Sequence, residues 1–555
     1  MSESQELRRD LERTRKGLSE ERDKWKPHWQ DLAENILPDH GVFSFSEDQA
    51  NDGRKKRDKI FDGLPEKAAR DFASGLHSTA TSPARPWFRI GTNDPGRMVN
   101  SGVRQWLKLC EDVIRYVFAK SNLYLTLPSV YQEMGTFGTG AMGAFDDFDK
   151  VLSFRAFTIG EYMLDQDASG KAEVFFREFW MTARQLVAEF GEDAVSDPVR
   201  AAWKNNTHQW FGVVHAIQPN DKRRGDLPAW SKNKAFRSVY YEVIAPSDHV
   251  LRVSGYDYFP IMAPRPNRVG IKVYGTGPGM VALPDVKSLY HLKNKILVAT
   301  EKEVDPPLVS SGDKKDEVIN TMPGGISYEV GGQGEGLRPL YEVKPNLAGG
   351  LSVIQDLREA IRSAYFNDLF LLTAGSDRRQ VTAREITERH EEKLLMLAPL
   401  SESIHNDLLN PLIDLTFNRC LEHGLFPPPP QDLHGQMLKV EYIDILTQAQ
   451  KMIGITAIEQ LAGYVGGLMG AYPEVRHKFN ALEAIDDYAD RLGTPPKLLN
   501  SNEDVKKIML QEQKAQAEQQ QLDQLGQIVQ GAKTLSEADV GGNNALAALT
   551  GGGVQ

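Results

Sequence analysis

The sequence has few cysteines, no long apolar run and no excess of positive charge, and each shortage argues against a class of protein. Only two of the 555 residues are cysteines, Cys110 and Cys420, and both lie inside apolar helical patterns far apart in the sequence. This arrangement argues against a disulfide framework or a cysteine metal site. We expect two reduced thiols in the hydrophobic core, because free cysteine is among the most buried residue types.

Long hydrophobic runs are missing as well. The densest one, Leu394 to Leu400, is much shorter than the roughly 18 to 20 apolar residues that a membrane helix needs. The N-terminal segment is charged from Glu3 to Lys26 and has no apolar stretch followed by a small-residue cleavage site, which argues against secretion. We therefore expect no membrane partner.

Positive charge does not dominate either. Lys and Arg number 65 against 76 Asp and Glu, so the net charge is −11 and the pI is near 5.7. This balance excludes a protein whose whole surface attracts nucleic acid. A conduit for DNA is still compatible with it, because each phosphate that a basic lining neutralises adds affinity and would hinder sliding.

Signatures of nucleotide binding and nucleophilic catalysis are absent. The only Gly-Lys step, Gly170–Lys171, is followed by Ala172, so the phosphate-binding pattern G-x-x-x-x-G-K-[ST] is not formed. The glycine-rich segment 274–279 precedes no strand-to-helix unit of the dinucleotide type and is interpreted as a structural turn. No G-x-S-x-G nucleophile elbow occurs. We expect no enzymatic activity and no cofactor.

Two segments imitate metal sites and fail on one position each. Residues 165–170 (DQDASG) resemble the start of a calcium loop, but Phe176 occupies the twelfth position, where a bidentate Glu is needed. The segment 388–393 (ERHEEK) has no second His four residues after His390. We predict a hairpin turn for the first segment, a solvated helical face for the second, and no metal.

The residues that are present form blocks of helix and strand, which indicates an α+β fold. Apolar residues at helical spacing predict helices over 3–37, 60–78, 101–120 and 125–136. Between about 140 and 265, runs rich in β-branched and aromatic residues alternate with loops rich in Gly, Asn and Pro, which predicts a β-rich module.

Farther along the chain, two helices bracket an irregular insert. Helical spacing predicts helices over 285–305 and 350–372, and the glycine- and proline-rich stretch 306–349 lies between them. A glycine-bearing break follows at 373–381, and the longest helical stretch then runs from 382 and ends near Gly424. Residues 440–535 are predicted to be mainly helical, and 536–555 to be a disordered tail.

Basic residues on the two bracketing helices are the candidate site. Lys287, Lys293 and Lys295 lie on the first helix, and Arg358 and Arg362 lie one turn apart on the second. Acidic residues are mixed into the same helices, so the pattern suits contact with DNA, pairing between subunits, or a plain solvated face.

The order of these pieces resembles that of the portal, or head-to-tail connector, proteins of short-tailed, podovirus-type bacteriophages. The resemblance extends over about residues 5 to 460, and none of the matching segments is a catalytic signature. Its specificity lies in the number and order of five segments: SGLHSTATSPARPWFRI (74–90), SNLYLTLPSVYQEMGTFGTGAM (121–142), TARQLVAEFG (182–191), YGTGPGMVALPDVKSL (274–289) and TAREITERHEEKLLMLAPL (382–400).

The resemblance implies a portal fold with a division of the chain into named regions. The site residues of the tunnel loop, which would face the DNA, are then Arg378, Arg379 and Gln380, and the two arginines form its basic tip. The regions are a helical and β-rich wing (1–284), a stem of two helices (285–305 and 350–372), a small α/β clip (306–349), the tunnel loop (373–381), a long wing helix and connection (382–439), a helical crown (440–535) and the tail (536–555).

The resemblance also implies a function and partners. Such subunits form a ring, usually of twelve, at one capsid vertex of the virion, after assembly in the host cytoplasm. Double-stranded DNA passes through without sequence-specific contact, and the ring binds the terminase large subunit, then tail adaptor proteins, beside the major capsid and scaffolding proteins. Two alternatives stay open: a ring-forming tail adaptor that does not contact the motor, and a packaging nuclease. A nuclease would need clustered carboxylates for paired metals, whereas the acidic residues here are dispersed.

Overall fold

The computed structural model divides into two compact units, Met1–Ile453 and Gly454–Gln555. The residues that it describes are 3–46, 57–92, 101–223, 232–245, 249–304, 308–309, 338–339, 347–372, 397–433, 438–443, 455–472, 474–475, 478–492, 505, 507–517 and 519.

Helices open the first unit and strands follow them. In chain order the elements of this part are α1 (Glu3–Asp23), α2 (Lys26–Asn35), α3 (Leu64–Ala80), β1 (Phe88–Thr92), α4 (Ser101–Lys120), α5 (Leu123–Phe137), β2 (Ala141–Asp147), β3 (Val151–Phe157), β4 (Tyr162–Gln166), β5 (Ala172–Thr182), α6 (Ala183–Phe190), α7 (Asp197–Asn205), β6 (Trp210–Pro219), β7 (Phe236–Glu242), β8 (Arg252–Tyr256) and β9 (Ile261–Met262).

The rest of the described chain is mainly helical. Its elements are α8 (Pro278–Val304), β10 (Leu308–Val309), β11 (Arg338–Pro339), α9 (Leu347–Ala364), α10 (Asn367–Leu372), α11 (Ala398–Ile404), a π-helical turn (His405–Leu409), α12 (Asn410–Glu422), a 3-10 turn (Gln431–Leu433), β12 (Leu438–Tyr442), α13 (Ile455–Met469) and α14 (Ala481–Leu492). The predicted α+β class is confirmed.

The strands pair antiparallel throughout the described residues. A five-stranded sheet has the order β4-β5-β6-β7-β8, a three-stranded sheet has the order β3-β2-β9, and β1 pairs with β12 and β10 with β11. The hairpin predicted at 165–170 is confirmed. Its turn is closed by Oδ1 of Asp167, which accepts hydrogen bonds from the amides of Ser169 and Lys171 at 2.9 Å, while Gly170 adopts φ +84°.

One continuous core joins the helical layer to the sheets. Trp29 of α2, Phe72 of α3, Tyr131 of α5 and Phe175 of β5 are all fully buried in it. Cys110 and Cys420 are both free and buried in the same core, as expected. Burial raises the pKa of the Cys110 thiol to about 12 and that of Cys420 to about 11.

Several boundaries differ from the sequence-based expectation. The stretch 3–37 contains two helices, α1 and α2, and the second bracketing helix begins at Leu347 rather than at 350. The first bracketing helix begins at Pro278 rather than at 285, and the range 350–372 contains two helices with a bend at Tyr365–Phe366. The division at 453 lies beyond the predicted one at 440, because Leu438–Tyr442 pairs with β1 and so belongs to the first unit.

Candidate channel-forming helices

The helices α8 and α9 form an antiparallel hairpin. Near the start of α8, a Cβ atom on Gly279 would lie 2.8 Å from the hydroxyl of Tyr365, which follows the end of α9. Towards the other end, a Cβ on Gly350 would lie 2.9 Å from Cδ1 of Ile296. The start of one helix therefore lies against the end of the other, as expected for two helices that bracket an insert.

Apolar side chains fix the half of the hairpin that lies near Gly279. Val286 and Leu289 of α8 and Ile361 of α9 are fully buried in the core that also contains α2 and α3. Tyr290 is buried as well, and its hydroxyl donates to the carbonyl oxygens of Asn35 at 2.7 Å and of Asp62 at 3.2 Å. This half is thus packed onto the N-terminal helices.

A single carboxylate, Asp62, ties both helices to the start of α3. Its Oδ2 atom accepts a hydrogen bond from Nη2 of Arg358 at 2.7 Å and one from Nζ of Lys293 at 3.1 Å, while Oδ1 accepts the amide of Leu64 at 3.0 Å. The Asp62 side chain is 6% exposed. Burial alone would raise the pKa of Asp62, but the hydrogen bonds from Arg358, the Leu64 amide and Lys293 bring it below its usual value.

The five predicted basic residues divide into two groups. Lys287 forms an ion pair with Asp31 of α2, and Lys293 and Arg358 bind Asp62, so these three cations contact acids of their own chain. Lys295 is exposed and Arg362 is half-buried, and neither forms an ion pair with another described residue.

The part of the hairpin nearer the insert exposes apolar side chains. On α8, Leu297 is 48% and Val304 79% exposed; on α9, Leu351 is 57% and Val353 49% exposed. Exposed apolar side chains that cluster on one element indicate a surface that a partner buries.

Several predicted site elements lie outside the described residues. These are the tunnel-loop residues Arg378, Arg379 and Gln380, and the predicted clip, 306–349, apart from the strand pair β10–β11 and residues 347–349, which belong to the start of α9. The same holds for residues 382–396 of the long helix; the described part of that stretch, 397–422, consists of α11, the π-helical turn and α12.

Asp31 and Asp62 are the site residues that the sequence analysis missed. One signal for Asp62 was present: it stands two residues before Leu64 and three before Pro65, at the start of α3. Asp before a helical Pro is a common helix start. Nothing local marks its distant partners, since Lys293 and Arg358 follow it by 231 and 296 residues.

The described residues contain no group of three or more His, Cys, Asp or Glu side chains placed to hold a metal ion. Among the helices that the structure describes, none has the length and apolar character to cross a bilayer.

Comparison with known proteins identifies the family. The family model for the bacteriophage head to tail connecting protein matches residues 8–499. The chain belongs to this family. Two curated relatives are portal proteins of short-tailed phages. The probable portal protein of Bordetella phage BPP-1 is 39% identical over 539 residues, and the portal protein of Salmonella phage epsilon15 is 40% identical over 538 residues, with 96% of each chain covered in both comparisons.

A solved structure titled "Neck of empty GTA particle computed with C6 symmetry" superimposes with a TM-score of 0.35 at 10% identity, covering 73% of this chain and 86% of that one. A likeness at this level carries no structural argument.

Membership of the family settles the class of function. The chain is a structural portal, or connector, component of the virion and not an enzyme. Proteins of this kind form ring oligomers at the junction of head and tail.

Proposed function

We propose that this chain forms a ring of twelve subunits whose α8–α9 hairpins line a channel for double-stranded DNA. The observation that carries the proposal is the exposure of the apolar side chains Leu297, Val304, Leu351 and Val353 near the insert end of the hairpin. In a ring every hairpin has a neighbour on each side, so apolar side chains on both sides of it can be removed from water.

The charges of the hairpin suit a channel that centres DNA without gripping it. Lys287, Lys293 and Arg358 form ion pairs with Asp31 and Asp62 of their own chain, and these two carboxylates offset two of the three positive charges. Lys295 and Arg362 form no ion pair with another described residue. Contacts to phosphate oxygens position a duplex without reading its bases. Arg378, Arg379 and Gln380 complete the DNA-facing set in the proposal, at the tip of the 373–381 tunnel loop.

The proposed partners follow the regions of the chain. The clip at 306–349 binds the terminase large subunit during packaging and tail adaptor proteins afterwards, and the wing and the crown face the major capsid and scaffolding proteins. Assembly takes place in the host cytoplasm before the ring is incorporated into the virion. Deleting 310–337, which lies between β10 and β11, should abolish co-purification with terminase while ring formation persists.

Electron microscopy and native mass spectrometry of the purified full chain test the ring. We expect class averages with a central pore and twelvefold symmetry, and a mass that is twelve times the 62.0 kDa subunit. Leu297→Glu and Leu351→Glu place a charge in the surface to be buried and should prevent ring closure. Ile271→Glu alters a side chain that is 93% exposed outside the hairpin and serves as the matched control. Rings that form equally well in all three variants would overturn the assignment of the hairpin surface.

Retention of packaged DNA tests the tunnel loop separately. Arg378→Ala combined with Arg379→Ala should increase the leakage of genome from filled heads, because the basic tip no longer holds the phosphate backbone. Unchanged retention in particles with intact rings would refute the role of the tip.

A further inference from the structure

The bend between α9 and α10 is held in a backbone conformation that its sequence does not favour. Phe366 has φ +56°, and Val151 is the one other non-glycine residue with positive φ among those described. A bulky L-residue is strongly disfavoured there, and helices that end in this way generally place glycine at the position. Such a conformation persists where the surrounding packing fixes it.

No local signal requires the bend. Residues 364–367 are Ala, Tyr, Phe and Asn, without the proline or glycine that commonly ends a helix. Asn367 and Asp368 favour the start of a new helix, but they do not require positive φ at Phe366. The packing around the bend must therefore hold that conformation.

Helix α3 lies along both sides of the bend. At its start, Asp62 holds Arg358 of α9 at 2.7 Å. At the bend itself, the side-chain amide nitrogen of Asn367 donates to two carbonyl oxygens, that of Ala68 in α3 at 3.1 Å and that of Tyr365 at 3.2 Å. The side-chain amide is taken in the orientation that forms both hydrogen bonds. Asn367 is 2% exposed, so breaking these bonds would leave a buried amide unsatisfied.

Aromatic packing bridges the bend in the same way. The ring of Phe72 in α3 makes edge contacts with Tyr365 on one side of Phe366 and with Phe370 on the other, with ring centroids 6.1 Å apart in both pairs. One side chain of α3 thus touches the residues that flank the strained position.

Close approach fixes α10 on α3. A Cβ atom on Gly75 would lie 2.3 Å from Cγ of Phe370, a distance that real structures do not show. Gly75 therefore allows the ring of Phe370 to rest directly on the backbone of α3. Any larger residue would push α10 away.

We infer that α3 is a splint that holds α9 and α10 at a fixed, strained angle. The splint acts through Asp62 on α9, through Ala68 and Phe72 at the bend, and through Gly75 on α10. Helix α10 ends at Leu372, immediately before the segment 373–381, so residues that fix α10 also fix the point from which this segment leaves. We therefore regard them as positioning residues. The role of the splint in directing the tunnel loop depends on the proposed function, but the existence of the splint does not.

A comparison of Phe366→Gly with Phe366→Ala tests the strained position. Both variants lose the phenyl ring, but glycine accepts positive φ and alanine does not. The full-length Gly variant should therefore melt at a higher temperature than the Ala variant, which is the reverse of their order inside an ordinary helix. If the Ala variant is the more stable of the two, Phe366 is not held at positive φ and the inference fails.

Hydrogen exchange of the assembled protein tests the splint. Gly75→Ala should raise the exchange of the 367–372 amides at least tenfold and leave that of 351–361 unchanged. Gly17→Ala is the matched control, because Gly17 also lies within a helix and a Cβ there meets nothing within 4 Å. Unchanged exchange of 367–372 in Gly75→Ala would refute the splint.

Genome retention in Gly75→Ala particles separates the splint itself from its proposed role in directing the tunnel loop. Faster exchange of 367–372 with increased leakage supports both the splint and the role of the loop. Faster exchange of 367–372 with normal genome retention would support the splint and refute the proposal that the splint directs the tunnel loop.

Discussion

Replacing Asp62 by asparagine should weaken the attachment of the α8–α9 hairpin to α3. The substitution keeps the size of the side chain and an oxygen that can accept the Leu64 amide, but it removes the charge that faces Lys293 and Arg358. These cations are 30% and 34% exposed, so solvent screens them and each pair contributes in the range of about 0.5 to 1 kcal/mol. We expect Asp62→Asn to lower the free energy of unfolding by about 1 to 2 kcal/mol.

The effect should depend on pH in a direction that the pKa of Asp62 sets. The pKa of Asp62 is lowered on folding. The carboxylate therefore contributes its full stabilisation at pH values above the pKa of the unfolded chain, about 3.9. This stabilisation is lost as the pH falls from there through the lower pKa of the folded state. The difference between wild type and Asp62→Asn should therefore be constant from neutral pH down to about pH 5 and shrink below about pH 4.

Urea unfolding of the full chain, at one fixed protein concentration because assembly contributes to stability, measures both effects. Lys295→Met is the matched control, since Lys295 lies on the same helix and is exposed. A double-mutant cycle of Asp62→Asn with Arg358→Met should give a coupling of at least about 0.5 kcal/mol. Equal stability of wild type and Asp62→Asn at pH 7, or a difference that persists undiminished at pH 3, would refute the reasoning.

Three further outcomes are expected. Nδ1 of His40 lies 2.7 Å from Oε1 of buried Glu133; burial alone would lower the pKa of His40, but this contact raises it. The resulting stabilisation is complete below the unfolded value of about 6.5 and is lost as the pH rises through the folded one, so His40→Gln should lower the melting temperature more at pH 5.5 than at pH 8.5. Gly424→Ala should cost about 1 kcal/mol in urea unfolding, because φ is +65° although the space for a methyl group is open. Cys110 and Cys420 should react with a thiol reagent only after unfolding, since both are buried with raised pKa values; rapid reaction of the native protein would contradict their position in the core.

Elements with strong local patterns were predictable from the sequence. Helix α4 has its predicted bounds, 101–120, because apolar residues repeat at helical spacing along its whole length and face the core. The hairpin of β4 and β5 was predictable for a similar reason, since Asp167 and Gly170 supply the turn chemistry within six residues.

Elements that depend on distant contacts were not predictable. Residues 438–439 were assigned to a connection and 440–442 to the start of a mainly helical region. Together they form a strand, because β1, some 350 residues earlier in the chain, pairs with them. The positive φ of Phe366 has no local signal, and by our inference α3 imposes it. The same limit applies to the candidate site: the sequence showed which residues are basic, but not that three of the five form ion pairs with Asp31 and Asp62.

These ion pairs bear on how the proposed channel would interact with DNA. If all five cations faced the duplex, each phosphate contact would change the slope of log binding constant against log salt concentration by about −0.9. The ring would then hold DNA tightly. Lys287, Lys293 and Arg358 are instead bound to Asp31 and Asp62, and these two carboxylates offset two of the five positive charges. In the proposed channel the pairing would serve two requirements at once, because the same contacts that fix the hairpin to the N-terminal helices reduce the positive charge that would slow the movement of DNA.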